Sequence, residues 1–126
     1  MRSHATSTDS PDFYRPIFSL SPDPIVITNS DSFIEEANIA FLKLVELRLT
    51  DILSRSVTDF IDPDSREDMR NIIKRLREGE TVSDHQILMY TNREKQFIGS
   101  MNALPLTEHG AVKHFIFIVH DITSTI

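Results

Sequence analysis

Between Thr81 and Thr123 the chain carries three strand-like runs, Thr81 to Thr91, Gln96 to Leu106 and Val112 to Thr123. Only two short turn clusters separate them, Asn92 to Lys95 and Glu108 to Gly110. Strands joined this tightly pair as antiparallel neighbours, so the C-terminal third is expected to be a β-meander. A sheet of this kind buries one face against another layer, and the rest of the chain has to supply that layer.

The upstream sequence supplies helices and two more strands. Pro24 to Thr28 is a β-branched run, Asn29 to Ser32 a turn cluster, and Phe33 to Ala37 a second short strand, together a hairpin. The turn lacks glycine, so Asn29 or Asp31 is expected to take any positive φ. Asn38 is placed to cap a helix over Ile39 to Leu47, with Phe41, Leu44 and Val45 on its apolar side and Ile39 and Leu42 widening it. Two short pieces follow, LTDIL and SVTDFI, with Thr50 and Ser56 as expected caps. A longer helix is predicted from Pro63 to Gly79, acidic early, basic late, with Met69, Ile72, Ile73 and Leu76 as its buried stripe. Ahead of all this, residues 1–12 read as a polar, disordered tail, and Pro16 to Leu20 as one helical turn. The element order is therefore ββ, then several short helices and one longer helix, then βββ, an α+β chain.

Composition narrows the functional classes. The chain has 126 residues and no cysteine, which removes disulfides, thiolate ligands and cysteine nucleophiles. This fits a cytoplasmic setting. Thirteen basic against 19 acidic residues give a net charge of −6, so no nucleic-acid partner is expected. No apolar run approaches the roughly 18–20 residues that span a bilayer, and no direct membrane contact is expected. Three glycines leave little material for a phosphate-cradling loop, and the five histidines form no metal-binding pair, so no metal site is expected. Asp59, Asp62, Asp64 and Asp68 crowd the start of the long helix, where capping and the helix dipole favour them.

Four stretches in this order resemble a PAS domain: SPDPIVITN (Ser21 to Asn29), EANIAFLKL (Glu36 to Leu44), SVTDFIDPDSRED (Ser56 to Asp68) and VHDIT (Val119 to Thr123). The resemblance runs from Phe13 to the C-terminus, so 13–126 is read as a single PAS domain, with the output module outside the sequence. It implies a five-stranded antiparallel sheet whose first and last strands are central neighbours, with the short helices and the one longer helix on one face, and a pocket between sheet and helices in those members that bind a ligand. By comparison with the family, Phe115, Phe117 and Val119 of the last strand point inward. The preceding strand then turns Phe97, Gly99, Met101 and Ala103 inward, and the small Gly99 and Ala103 are expected to leave room. Alternation turns His85, Ile87 and Met89 inward from the strand before.

The candidate pocket wall is completed by Val26, Thr28, Phe41, Leu44, Phe60 and Ile72, with His85 and Thr28 as its polar groups. On the outer face, Ile116 and Ile118 call for a cover, either Ile17, Phe18 and Leu20 or a second subunit. A homodimer is expected. Signal would leave through Asp121 and Thr123 into an output domain of the same polypeptide. The expected hosts are sensor histidine kinases of two-component systems, chemoreceptor-like transducers, cyclic-dinucleotide enzymes and transcription regulators.

The resemblance also gives a test by absence. Flavin-binding light-sensing relatives use a cysteine where this chain reads SRSVTDF, and coumaroyl-binding relatives also need one. Haem-binding relatives commonly place a histidine on or beside the long helix, which has none from Pro63 to Gly79. No cofactor is predicted, haem and flavin least of all; an unidentified small molecule stays open. The reading is a sensory domain that binds a small molecule, relays a signal by dimer rearrangement, or both. Its alternative is a ligand-free dimerisation module with a packed core. A small α+β enzyme, with His85 as its one candidate acid–base group, is the remote alternative, and the isolated domain is not expected to be catalytic.

Overall fold

The computed structural model describes residues 18–123. Ile17 and the expected helix start at Pro16 lie outside them, as does the polar tail. Five strands, β1 (Ile25–Asn29), β2 (Ile34–Ala37), β3 (Val82–Tyr90), β4 (Gln96–Glu108) and β5 (Ala111–Asp121), form one antiparallel sheet in the order β2-β1-β5-β4-β3. The first and last strands are neighbours, with Val26 opposite Phe117 and Thr28 opposite Phe115. Residues directly opposite in antiparallel strands share a face, so these four point to the same side.

Helices cover that side: α1 (Ile39–Val45), α2 (Leu49–Ile52), a 3-10 turn (Val57–Phe60), a second (Pro63–Ser65), and α3 (Arg66–Arg77). Asn38 caps α1 as the sequence predicts, its Oδ1 accepting from Phe41 N–H at 3.0 Å. Glu46 ends the helix in a left-handed conformation. Ser56 likewise caps the first 3-10 turn by accepting from Thr58 N–H.

Three local expectations are corrected. Thr50 does not cap α2; the cap position belongs to Arg48, whose N–H donates to Asp51 across the first turn. The long helix does not start at Pro63, because Asp62 accepts from Asp64 N–H and tightens the first residues into a 3-10 turn. In the β1–β2 turn the positive φ falls on Ser32 (75°). Asn29 Oδ1 accepts from both Asp31 and Phe33 N–H, which closes the turn around Asn29 and leaves Ser32 to make the reversal.

The stripe Met69, Ile72, Ile73 and Leu76 of α3 is buried on the sheet, as periodicity predicts. At the end of α3, Gly79 takes φ 88°, a left-handed value that costs a glycine little. Arg77 donates from Nε to Ser30 O at 3.0 Å and so ties this end to the β1–β2 turn.

The segment between α2 and α3 is sewn to both sheet edges through its backbone. At β2, Ser54 N–H donates to Ile34 O (2.9 Å) and Ile34 N–H donates to Arg55 O (2.8 Å). At β3, Asp62 N–H donates to Leu88 O (3.0 Å), beside a bridge between Ile61 and Met89. Edge strands expose unpaired backbone groups, and this strap satisfies some of them at either side.

Candidate functional site

The expected pocket wall assembles on one side of the sheet. Val26, Thr28, Phe41, Phe60, Ile72, Ile87, Met89, Phe97, Met101, Phe115, Phe117 and Val119 are all buried there. Leu44 is only half-buried against this cluster, because it lies at the edge of the α1 face centred on Phe41 and Val45. Ile39, expected to widen that face, is 58% exposed at the first position of the helix. Phe41 meets Phe60 edge to face, with ring centroids 5.8 Å apart, and Phe115 meets Phe117 the same way at 6.2 Å.

Room over the two small residues of β4 was the main expectation for this layer, and over Gly99 it is taken up. A β-carbon placed on Gly99 would stand 2.8 Å from Met89 Sδ and 3.1 Å from Val119 Cγ1. The missing side chain of Gly99 is thus replaced by the flexible thioether of Met89, reaching over from the adjacent strand.

Both polar groups assigned to the wall are engaged. Thr28 is buried and its hydroxyl donates to Asn29 O at 2.8 Å. His85 sits at the rim rather than in the layer, half-buried, with Nε2 2.7 Å from Asp68 Oδ2 on α3. A bulge between Val82 and His85, with Asp84 at φ 50°, accompanies this position on the edge strand. Among the described residues no group of three His, Asp or Glu side chains is arranged to hold a metal ion.

The outer face is apolar at its centre. Ile25 lies opposite Ile118, and Ile27 and Leu104 flank Ile116 from either side. Ile116 and Ile118 are half-buried, Ile27 is buried, and Leu104 is exposed. Histidines bracket this strip along β5. His114 Nδ1 lies 2.7 Å from Glu35 and its Nε2 3.8 Å from Glu108, while His120 lies 3.6 Å from Asp23. Of the expected N-terminal cover, Phe18 is buried, but Leu20 is 82% exposed and covers nothing.

At the expected signal exit, Asp121 and Thr123 form a small knot. Asp121 Oδ1 accepts from Thr123 N–H (3.0 Å), and Thr123 Oγ1 accepts from Ile98 N–H (2.8 Å). The last described turn is thereby fastened to β4 instead of trailing free of the sheet.

A second set of residues is brought together without any sequence pattern announcing it. Arg55, Asp59, Pro63, Arg66, Tyr90 and Glu94 line a surface cleft of about 480 Å³ where the strap, the start of α3 and the β3–β4 turn meet. Below it Asp62 is buried and caps the second 3-10 turn. The neighbouring Asp62 carboxylate, with some desolvation, holds the Tyr90 phenol above its usual pKa.

Comparison with known proteins agrees with this architecture. Over 111 residues the chain is 27% identical to sporulation kinase E of Bacillus subtilis (strain 168), covering 87% of this chain but only 14% of that protein. In three dimensions it resembles a PAS domain from Colwellia psychrerythraea with a TM-score of 0.81 at 19% identity, covering 92% of this chain and 99% of the other. It also resembles a domain of a sensory box sensor histidine kinase/response regulator from Geobacter sulfurreducens, TM-score 0.76 at 16% identity, covering 89% and 94%. No helix among the described residues is long and apolar enough to cross a membrane. The family model described as PAS domain matches residues 22–124, from the approach to β1 through the Asp121–Thr123 knot, and the chain belongs to the PAS domain family.

Proposed function

We propose that this PAS domain is a relay module of a larger cytoplasmic signalling protein, and that it acts by pairing with a second copy through the outer face of its sheet. The observation that carries this reading is the contrast between the two faces. Inside, Met89 fills the niche over Gly99, and the polar candidates Thr28 and His85 already have partners. Outside, Ile25, Ile116, Ile118 and Leu104 form an apolar strip that is only partly covered. Apolar area removed from water stabilises an assembly by about 25 cal/mol per Å², so this strip favours pairing. The host is a sensor histidine kinase, a reading supported by the similarity to a sporulation kinase. Its catalytic activity resides in a separate output domain of the same polypeptide, reached through Asp121 and Thr123.

Sedimentation equilibrium combined with native mass spectrometry tests this. The chain is expected at twice its mass, and Ile116→Glu with Ile118→Glu is expected to return it to a monomer with unchanged secondary structure. A monomeric parent chain would sink the pairing. Extra noncovalent mass per chain would instead favour the small-molecule reading, with the inner layer opening around a ligand.

A further inference from the structure

We propose that the cleft between the strap, the start of α3 and the β3–β4 turn binds a small aromatic carboxylate. Its volume of about 480 Å³ lies within the range of clefts that take small molecules. Apart from Phe60 it shares no residue with the inner layer, so the inference stands apart from the pairing reading.

Two guanidinium groups line this cleft, and each is held by its Nε. Arg55 Nε donates to Asp59 Oδ2 at 3.3 Å, and its guanidinium carbon sits 5.1 Å from the centre of the Phe60 ring. Arg66 Nε donates to Ile61 O, also at 3.3 Å. Among the described residues the terminal nitrogens of both make no hydrogen bond, and Arg66 has no ion pair. A guanidinium fixed in this way offers its remaining donors with much of its side-chain entropy already lost, which favours a planar carboxylate.

The apolar side of the cleft comes from Leu47, Pro63 and the Tyr90 ring. Tyr90 lines the same cleft and supplies an aromatic ring for a ligand to stack against. Asp59 is spent on Arg55, and Glu94 also lines the cleft. That leaves the Arg66 guanidinium and the Glu94 carboxylate, so the lining is neutral, two arginines against two carboxylates. With a neutral lining, the free donors of Arg66 admit a monoanion lying against it and a dianion is opposed.

The probe is phenylacetate, with phenylacetamide and 2-phenylethylamine as neutral and cationic counterparts of the same shape. Titration into the full chain, followed by amide chemical shifts, is expected to move Thr91, Asn92 and Arg66 saturably with phenylacetate alone. Loss of one charge-assisted contact weakens binding about tenfold or more, so Arg66→Gln is expected to raise the Kd by at least that factor. Arg55→Gln is the second variant, and retained amide dispersion shows that either variant is folded. Equal binding of the amide or the amine, an Arg66→Gln Kd unchanged in a folded chain, or shifts that never saturate would each overturn the proposal.

Discussion

Met89 of β3 stands over Gly99 of β4 as if it were that residue's side chain, its sulfur 2.8 Å from where a β-carbon would lie. Met89 is fully buried, and the stiff Val119 closes the other side at 3.1 Å. Gly99→Ala therefore overpacks the layer, at a cost of about 1–2 kcal/mol after the gain from replacing a strand glycine. Met89→Ala alone empties the niche and costs about 2–5 kcal/mol. The double variant is expected to recover part of the sum, with a favourable coupling of about 1 kcal/mol in urea unfolding. Strict additivity would show that the two side chains do not share the space.

Asn38 joins four backbone groups from one buried position. Its Oδ1 accepts from Ile25 N–H (2.9 Å) and Phe41 N–H (3.0 Å), and its Nδ2 donates to Asp23 O (2.9 Å) and Phe18 O (3.1 Å). It therefore fixes the entry to β1, the start of α1 and the preceding segment together. Asn38→Ala leaves these groups unpaired in a buried place, and a loss of about 3 kcal/mol or more is expected. Asn38→Asp keeps the acceptor but puts a charge beside two carbonyls, so it is expected to rescue little. A loss below about 1 kcal/mol by denaturant titration would mean that water replaces the side chain.

Much of this was legible in advance, for a plain reason. Burial imposes a period, so Phe115, Phe117 and Val119 on β5 and Met69, Ile72, Ile73 and Leu76 on α3 declare their faces in sequence. What stayed hidden depends on meetings between distant segments. Gly99 looks like open space until the reach of Met89 is known. Arg55, Arg66 and Tyr90 obey no common spacing and meet only because the strap crosses to the β3 edge. The aspartates between those two arginines, Asp59, Asp62 and Asp64, read as ordinary capping of the helix start. His85 was correctly placed on its strand, but the bulge before it and Asp68 across from it hold it at the rim.

Tyr90 carries the pH prediction. The Asp62 carboxylate beside its hydroxyl makes the folded state keep the phenolic proton more tightly than the unfolded chain does. The stability gained is fully present below the ordinary tyrosine pKa and is lost as pH rises through the higher folded value. Of the two tyrosines, Tyr14 lies outside the described residues, and substitution tells the two apart. Alkaline titration at the phenolate absorbance is expected to show Tyr90 ionising late. Tyr90→Phe should abolish the late step, and Asp62→Asn should bring it towards the ordinary range. A late step that survives Tyr90→Phe would assign it to Tyr14.

His85 and Asp68 look like a strong latch between β3 and α3, with 2.7 Å between their atoms. Their side chains are nevertheless 30% and 45% exposed, and pairs this wet are screened. Asp68→Ala is accordingly expected to cost under about 1 kcal/mol by thermal or urea unfolding. A larger loss would mean that the pair, and not the apolar stripe beneath α3, holds the helix to the sheet.

Among the described residues, Ser32 combines a left-handed backbone with a buried, unpartnered hydroxyl. It is 4% exposed, its φ is 75°, and its hydroxyl has no hydrogen-bond partner. Its backbone still matters, since its N–H donates to Asn29 O and its carbonyl accepts from Val57 N–H. A side chain with a β-carbon pays about 1–2 kcal/mol in this left-handed region, and an unpaired buried hydroxyl adds to that cost. Glycine removes both while keeping the two backbone bonds, at the expense of greater freedom in the unfolded chain. Ser32→Gly is expected to stabilise the domain by about 1 kcal/mol net. Ser32→Ala removes only the hydroxyl and should gain less. If alanine matched glycine, the unpaired hydroxyl and not the backbone would be the source of the strain; if glycine destabilised the chain, the hydroxyl would have to hold a bond that matters, such as one to a buried water.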